Sequence, residues 1–254
     1  MPNQLCTPNQ LKHELELKEY LKPYTCDGCK EIGFGPRYRC EKCNFDLHKA
    51  CMFPQDSPIF HEFFPQSAFE FFKTPPRACC DDCKKFCDAC TKPINGFMYH
   101  CKKVKVELDL HPCCRNLNRN YKIEDVEFNL YKKVKGKCMW CKKRTINPHG
   151  QTNGWSYISE CGEYHVHVAC VIEMALEEWH KNGGNWINAN NANQDQQLAL
   201  QKLNLKAIKA RGRGKGGKGN KYWRILKVFI GTIVSIVLGD PTTVLVSLFV
   251  ELIT

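Results

Sequence analysis

The spacing of cysteines between residues 26 and 51 constrains this chain more than any other feature of its sequence. It reads C-x2-C, ten residues, C-x2-C, four residues, His, two residues, Cys. Two residues between cysteines let both thiolates reach one ion from a tight turn, and a tetrahedral zinc takes four such nitrogen or sulfur ligands. Six ligands exceed the need of one ion, so the stretch predicts two zinc ions that take further ligands from elsewhere. The six residues are Cys26, Cys29, Cys40, Cys43, His48 and Cys51.

The cysteine content of the whole chain supports metal binding rather than disulfide formation. The 254 residues include 18 cysteines, and the first ten residues are polar, without the apolar segment of a signal peptide. We therefore expect a cytoplasmic or nuclear protein, with peripheral membrane association left open, and not a secreted one. In such a reducing compartment, clustered cysteines are metal ligands.

The positive charge of the chain is concentrated near its C-terminus. The net charge is +11, but ten lysines and arginines lie between residues 196 and 239, where there is no acidic residue. Residues 1–195 carry only about +3. This distribution argues against a basic nucleic-acid-binding face across the cysteine-rich region.

The cysteine motif occurs in three copies. Each copy has a C-x2-C pair, a glycine–aromatic pair, a tyrosine and an apolar/polar alternation that ends in H-x2-C. The glycine–aromatic pairs are Gly33-Phe34, Gly96-Phe97 and Gly154-Trp155. Modules of about 50 residues bury too little apolar surface to fold reliably alone. We therefore expect zinc to act as a scaffold, with an apparent binding energy on the order of 10–16 kcal/mol per structural site.

These motifs resemble the divergent C-one domain family of plants. Its members are Cys/His-rich relatives of the zinc module with which protein kinase C binds diacylglycerol and phorbol esters. The resemblance covers roughly residues 10–180. It rests on Cys26-Asp27-Gly28-Cys29, Phe45-Asp46-Leu47-His48 and Leu108-Asp109-Leu110-His111-Pro112-Cys113-Cys114. It implies small zinc-stabilised α+β modules, each of short antiparallel strands and one short helix, built on two interleaved zinc sites. Three such modules in tandem have little regular secondary structure.

The resemblance assigns the inner zinc of each module to the first C-x2-C and the H-x2-C. The expected inner ligands are Cys26, Cys29, His48 and Cys51, then Cys87, Cys90, His111 and Cys114, then Cys138, Cys141, His167 and Cys170. Closed four-ligand sites of this kind are structural rather than catalytic.

The resemblance assigns an outer zinc to the leading His, the second C-x2-C and a trailing ligand, and the copies differ there. In the first copy these are His13, Cys40, Cys43 and His61. The second copy offers only the substitutes Cys80, Cys83 and Cys101, and the third offers Cys161 and His165. We therefore expect four to six zinc ions per chain.

The domain boundaries follow from the copies and from the change of composition after them. We expect zinc modules at 10–60, 61–120 and 121–181, a flexible basic linker at 182–221 and a hydrophobic tail at 222–254. A helix is expected after Cys170, with Asn182-Gly183-Gly184 ending it. The basic run is a candidate for contact with an anionic membrane or RNA through Arg211, Arg213, Lys215, Lys218 and Lys221.

The tail predicts a hairpin of two short apolar helices that meet at Gly239. One half is too short to cross a bilayer, and Asp240 would lie near the middle of a continuous span. We expect the tail to enter a membrane surface or to pack against another subunit. A hairpin packed on the protein's own modules and a pair of strands remain alternatives.

The predicted function is a zinc-binding interaction or scaffold protein in intracellular signalling, without enzymatic activity. The resemblance links such proteins with plant stress and defence responses. The expected partner is a protein, with an anionic membrane surface, self-association through the tail and weak nucleic-acid binding as further options. The alternatives are a diacylglycerol-type lipid sensor, a nucleic-acid-binding protein and, less favoured, a thiol–disulfide oxidoreductase that uses a C-x2-C pair.

Overall fold

A computed structural model describes residues 14–20, 23–55, 59–76, 84–103, 106–132, 136–146, 153–181 and 218–239. Within these ranges the chain forms two compact units. The first contains the described residues up to 87, with 93–116 and 236–239. The second contains 88–92 and the described residues between 117 and 235.

The first zinc module is built from five short strands and one helical turn. Strands β1 (Glu16–Lys18), β4 (Arg37–Cys40) and β5 (Phe45–Leu47) form an antiparallel sheet. Strands β2 (Pro23–Thr25) and β3 (Ile32–Phe34) form a separate two-stranded sheet, and helix α1 (Lys49–Met52) follows β5. The apolar/polar alternation of Phe45-Asp46-Leu47 gives β5 its two faces, since successive side chains of a strand point to opposite sides.

The second module contains a four-stranded antiparallel sheet and another helical turn. The strands are β6 (Ile59–His61), β7 (Phe64–Phe72), β8 (Met98–Lys103) and β9 (Val106–Leu110), which pair in that order. Helix α2 (Pro112–Arg115) follows β9, with a proline in its first turn where no backbone N–H is needed. A bulge between Phe60 and His61 shifts the register of β6 against β7.

The third module also has a four-stranded antiparallel sheet, but it has a longer helix. Strands β10 (Asn120–Ile123), β11 (Val126–Tyr131), β12 (Ser156–Ser159) and β13 (His165–His167) pair in order. Helix α3 (Val168–Lys181) has 14 residues. The helix expected after Cys170 is therefore confirmed, although it begins at Val168 and includes Cys170.

The C-terminal part of the described chain is a single long helix, α4 (Lys218–Val237). It begins inside the predicted basic linker, so Lys218 and Lys221 are helical rather than part of a flexible run. A turn at Leu238 and Gly239 follows, and Gly239 has a φ of +88°. The predicted second helix of the hairpin lies outside the described residues, and so do Arg211, Arg213 and Lys215.

From Ile225 onward, helix α4 is largely buried within the protein. Phe229 is stacked on Phe128 with ring centroids 3.9 Å apart, and it also contacts Tyr121 and Tyr157 edge-on. Buried positions lie on every side of the helix after Ile225; they are Ile225, Leu226, Phe229, Ile230, Thr232, Ile233, Val234, Ser235 and Val237. The first half of the tail is thus a helix packed against the third module. Among the described helices, none combines the length and the apolar character needed to span a membrane.

The predicted fold class is confirmed for the three modules. They are small, rich in short strands and poor in helix, and each contains one Cys/His cluster.

Candidate metal centres

Three clusters of four potential metal ligands lie at corresponding places in the three modules. In each cluster the four ligand atoms lie within 4.8 Å of one another. The clusters consist of Cys26, Cys29, His48 and Cys51; Cys87, Cys90, His111 and Cys114; and Cys138, Cys141, His167 and Cys170. All the ligands are buried except Cys141, which is half-buried. The structure therefore brings together the three predicted inner ligand sets.

A tight turn places each C-x2-C pair. In the first module the Lys30 N–H donates to the Cys26 carbonyl oxygen at 2.8 Å, and in the third the Lys142 N–H donates to the Cys138 carbonyl oxygen at 3.0 Å. The residue after the second cysteine has a positive φ in every copy: 65° at Lys30, 62° at Thr91 and 63° at Lys142. Non-glycine residues seldom adopt this conformation. Its threefold recurrence shows that the motif imposes the turn.

The start of a helix places each H-x2-C pair. His48 and His111 are the N-cap residues of α1 and α2, with φ near −60° and ψ near 150° in both cases. His167 stands directly before α3. Since residues three apart share a helix face, the cysteine three positions later projects to the same side as the histidine.

The histidine ring nitrogen that faces the cysteines is Nδ1. His48 Nδ1 lies 3.3 Å from Cys29 Sγ and 3.9 Å from Cys51 Sγ. His167 Nδ1 lies 3.4 Å from Cys141 Sγ and 3.6 Å from Cys170 Sγ. Nδ1 is therefore the nitrogen available to an ion in these two sites.

The opposite ring nitrogen is held differently in the three sites. His111 Nε2 lies 3.3 Å from the Pro93 carbonyl oxygen, and His167 Nε2 lies 3.1 Å from the Arg144 carbonyl oxygen. Such carbonyl partners fix the orientation of a metal-binding imidazole. His48 Nε2, by contrast, has no hydrogen-bond partner among the described residues.

The electrostatics of the first and third clusters favour one thiolate in each. Burial opposes ionisation of Cys26, but hydrogen bonds from Cys29 and Cys51, together with the His48 imidazole, hold its pKa well below the usual range. A hydrogen bond from Cys170 is the main reason why the pKa of Cys138 falls to about 3, despite burial. In return, the thiolate at Cys138 raises the pKa of Cys170. Each of these two clusters thus holds a ready anionic sulfur.

The donor set fits zinc. Three sulfurs and one imidazole nitrogen fill the four positions of a tetrahedral structural site and leave none for water. No disulfide joins any of the 14 cysteines in the described part of the chain. The ligand atoms are also close enough to share one ion. These three sites are compatible with zinc binding.

The predicted outer ligands do not form a further cluster of three within the described residues. Cys40 and His61 are buried, Cys43 is exposed, and His13 lies outside the described ranges. In the second module Cys101 is buried, while Cys80 and Cys83 also lie outside the described ranges.

In the third module the two predicted extra ligands occupy different environments. Cys161 is exposed, and its Sγ lies 3.1 Å from Ser159 Oγ. His165 is buried, and burial lowers its pKa.

Sequence reasoning missed several groups that shape the sites. The carbonyl oxygens of Pro93 and Arg144 orient two of the histidines, and a backbone carbonyl leaves no trace in the residue type. Asp46 forms ion pairs with Arg37 at 3.2 Å and with Arg39 at 2.7 Å. It lies in β5, the strand that directly precedes the ligand His48. The β4–β5 register places Arg39 opposite Asp46, so opposite charges on neighbouring strands were a signal that could have been used.

Residues 10–52 match the family model of the C1 domain. The protein carries a C1-like domain. The match covers the first module, which contains the first cluster, and it agrees with the resemblance inferred from the motifs. Zinc binding is a property of that family, and the three clusters supply the ligands for it.

The chain is also similar to a protein described as probable nucleoredoxin 1 of Arabidopsis thaliana. The two are 46% identical over 46 residues, which is 18% of this chain and 8% of that relative. The similarity therefore spans a small fraction of the relative's length. No solved structure gives a significant match to the chain.

Proposed function

We propose that the protein is a zinc-scaffolded interaction protein in intracellular signalling, without catalytic activity. The observation that carries this proposal is the closed character of the three clusters. Each has four donors within reach of one ion, and almost all of them are buried. A site with four protein ligands leaves no coordination position for a substrate, so its contribution is to the fold.

An exposed apolar patch on the first module is the surface that we propose for the partner. Leu17 is 56% exposed and Phe53 is 48% exposed. Tyr38 joins them, since it stands opposite Leu17 in the β1–β4 pair and its ring lies 5.0 Å from that of Phe53. Clustered exposed apolar side chains are typical of protein interaction sites.

Metal counting tests the scaffold role. We expect at least three zinc ions per chain, one for each cluster, in native mass spectrometry of the full-length protein. Cys26→Ser, Cys87→Ser and Cys138→Ser should each lose zinc from the altered module. The three variants are controls for one another, because each alters one cluster and should leave the zinc of the other two in place. Fewer than three zinc ions in the unaltered protein would contradict the assignment.

A comparison of variants tests the partner surface. Leu17→Ser with Phe53→Ser should abolish the recovery of a protein that co-purifies with the unaltered chain. Tyr131→Ser is the control, since Tyr131 is 44% exposed on the third module. Recovery of the same proteins with the double variant would argue against the patch.

We propose the predicted tethering to a membrane or partner only for residues 240–254, because α4 before them is buried. A chain that ends at Gly239 tests this role in subcellular fractionation. Unchanged distribution and unchanged oligomeric state would refute it. We place the protein in the cytoplasm or nucleus as part of the same proposal.

Thiol–disulfide exchange is the second candidate, and the name of the Arabidopsis relative favours it. Two observations argue against it. The similarity covers 46 residues, about the length of one zinc module, and each C-x2-C pair has its thiols turned to a histidine and a third cysteine. An insulin-reduction assay decides between the two: turnover by the zinc-loaded chain that Cys26→Ser abolishes would favour the enzyme.

A further inference from the structure

The glycine–aromatic pair of the motif has a structural role that zinc binding does not explain. In the second copy the Phe97 N–H donates to the Gly28 carbonyl oxygen at 2.9 Å. In the third copy the Trp155 N–H donates to the Ala89 carbonyl oxygen, also at 2.9 Å. Gly28 and Ala89 both stand directly before the second cysteine of a C-x2-C turn. Each pair thus binds the carbonyl of the turn in the copy that precedes it in the sequence.

Residues 1–25, before the first copy, contain no C-x2-C motif, and a turn at the end of the described chain makes the corresponding contact. The Phe34 N–H donates to the Leu238 carbonyl oxygen at 3.2 Å. Leu238 lies in the turn after α4, where the Gly239 N–H donates to the Ile236 carbonyl oxygen at 3.2 Å. This turn resembles the C-x2-C turn of the first copy, because each contains a residue with a positive φ: Gly239 in one and Lys30 in the other.

Gly239 also fits closely against the histidine of the first cluster. A Cβ added at Gly239 would lie 2.3 Å from His48 Cδ2 and 2.9 Å from its Cγ. A Cβ added at Gly33 would lie 2.4 Å from His48 Nε2. Neither position tolerates a side chain without movement of a neighbour. His48 therefore packs closely against two glycines and the Tyr24 ring, where the other two histidines have a carbonyl at Nε2.

We propose that residues 236–239 form an end cap that occupies the turn-binding surface of the first module and positions His48 for zinc. The surface consists of the Phe34 N–H, Gly33 and the outer edge of the His48 imidazole. Its occupant is the chain's own turn at residues 236–239, which makes the contact that a C-x2-C turn makes in the other two copies. Two contacts support this choice: the backbone hydrogen bond that the other copies also make, and a fit at residue 239 that requires glycine.

The cap links the C-terminal segment to metal retention at one site. It covers the edge of His48 that faces away from the cysteines, so its displacement admits water and loosens one ligand. This inference rests on zinc binding by the first cluster, but it does not depend on the interaction role proposed for the protein.

The test uses the zinc-loaded, full-length protein and its Gly239→Ala variant. A chelator and N-ethylmaleimide are added together, and peptide mass spectrometry follows the alkylation of individual cysteines. We expect Cys26, Cys29 and Cys51 to react at least about tenfold faster in the variant, because local opening sets the rate at which a protected group reacts. The cysteines of the third cluster should keep their rates.

Gly162→Ala is the matched control. Gly162 has a φ of +75°, close to that of Gly239, but an added Cβ meets nothing within 4 Å. Gly162→Ala therefore introduces a similar backbone strain without a steric clash like the one with His48. Equal rates at Cys26 in the two variants would overturn the proposal. Equal acceleration at all three clusters in Gly239→Ala would also overturn it, since the segment would then act on general stability.

Hydrogen exchange of the unaltered protein provides a second test that needs no variant. The Phe34 amide should be protected in the zinc-loaded chain, because the Leu238 carbonyl accepts its hydrogen bond. Exchange at the rate of an unprotected amide would refute the cap. If the unaltered protein shows no zinc-dependent protection of Cys26 at all, it is zinc binding that has failed rather than the cap.

Discussion

The first and third modules hold the same four-donor cluster in different surroundings. The core of the first module consists of eight buried residues, four of which are cysteines: Leu15, Tyr24, Cys26, Cys29, Cys40, Leu47, Cys51 and Met52. The third module buries large apolar side chains instead, among them Phe128 and Tyr157 in its sheet, Met174 in α3 and Phe229 in α4.

This contrast indicates how much each module depends on its metal. Half of the residues in the first core are cysteines, and three of them belong to the cluster, so little apolar burial remains to stabilise the module without zinc. The third module has a helix of 14 residues and the packing of α4 in addition to its cluster. The same ligand motif thus forms a large part of the core in one module and a supplement to it in the other.

Polar contacts beside the clusters differ in the same way. In the first module Arg39 stands opposite Asp46, and Asp46 also binds the buried Arg37. At the corresponding place in the third module Ile158 stands opposite His165. An ion-pair network in the first module is replaced by an apolar residue and a buried imidazole in the third.

Removal of zinc should cause the largest difference in stability between the first and third modules. With a chelator, the first module should unfold, since it loses a binding energy on the order of 10–16 kcal/mol and has little other core. Strands β11 and β12 of the third module should keep part of their protection. Hydrogen exchange of residues 32–47 and 156–172, with and without metal, measures the difference. Equal loss of protection in both ranges would show that the apolar core does not compensate.

Truncation of Phe229 should act on the third module alone. Phe229→Ala removes a ring stacked on Phe128, and the free energy of unfolding of this module should fall by about 3–5 kcal/mol. Protection of Cys26 from alkylation should not change. Val228→Ala is the control on the same helix, because Val228 is only half-buried. If denaturation of the zinc-loaded chain shows a similar loss for both variants, the stack is not the stabilising contact.

Loss of the Asp46 charge should act on the first module alone and have a smaller effect. Asp46→Asn leaves Arg37, which is 2% exposed, without its carboxylate, and this should cost about 3 kcal/mol. Glu41→Gln is the control, since it removes an exposed carboxylate from the same Arg39 and should have a much smaller effect. Hydrogen exchange of β4 and β5 measures both. Equal effects would mean that burial of the pair is not decisive.

Much of the metal chemistry could be predicted from the sequence, because it depends on local spacing. A C-x2-C turn and a histidine at the start of a helix place their ligands within a few residues, so the three inner sets follow from the motif. The helix after Cys170 followed in the same way from apolar periodicity. The tail could not be predicted as well, since its apolar residues fit a membrane, a partner or the protein's own core equally.

The sequence by itself determined which residues gather into three clusters and that they suit zinc, since the spacing of cysteine and histidine leaves few other arrangements. Only the tertiary structure decided what supports each cluster. Phe229 stacks on Phe128, about a hundred residues earlier in the sequence. Leu238 accepts a hydrogen bond from Phe34, about two hundred residues earlier. Contacts over such separations depend on how complete surfaces fit, and no local pattern in the sequence specifies that fit.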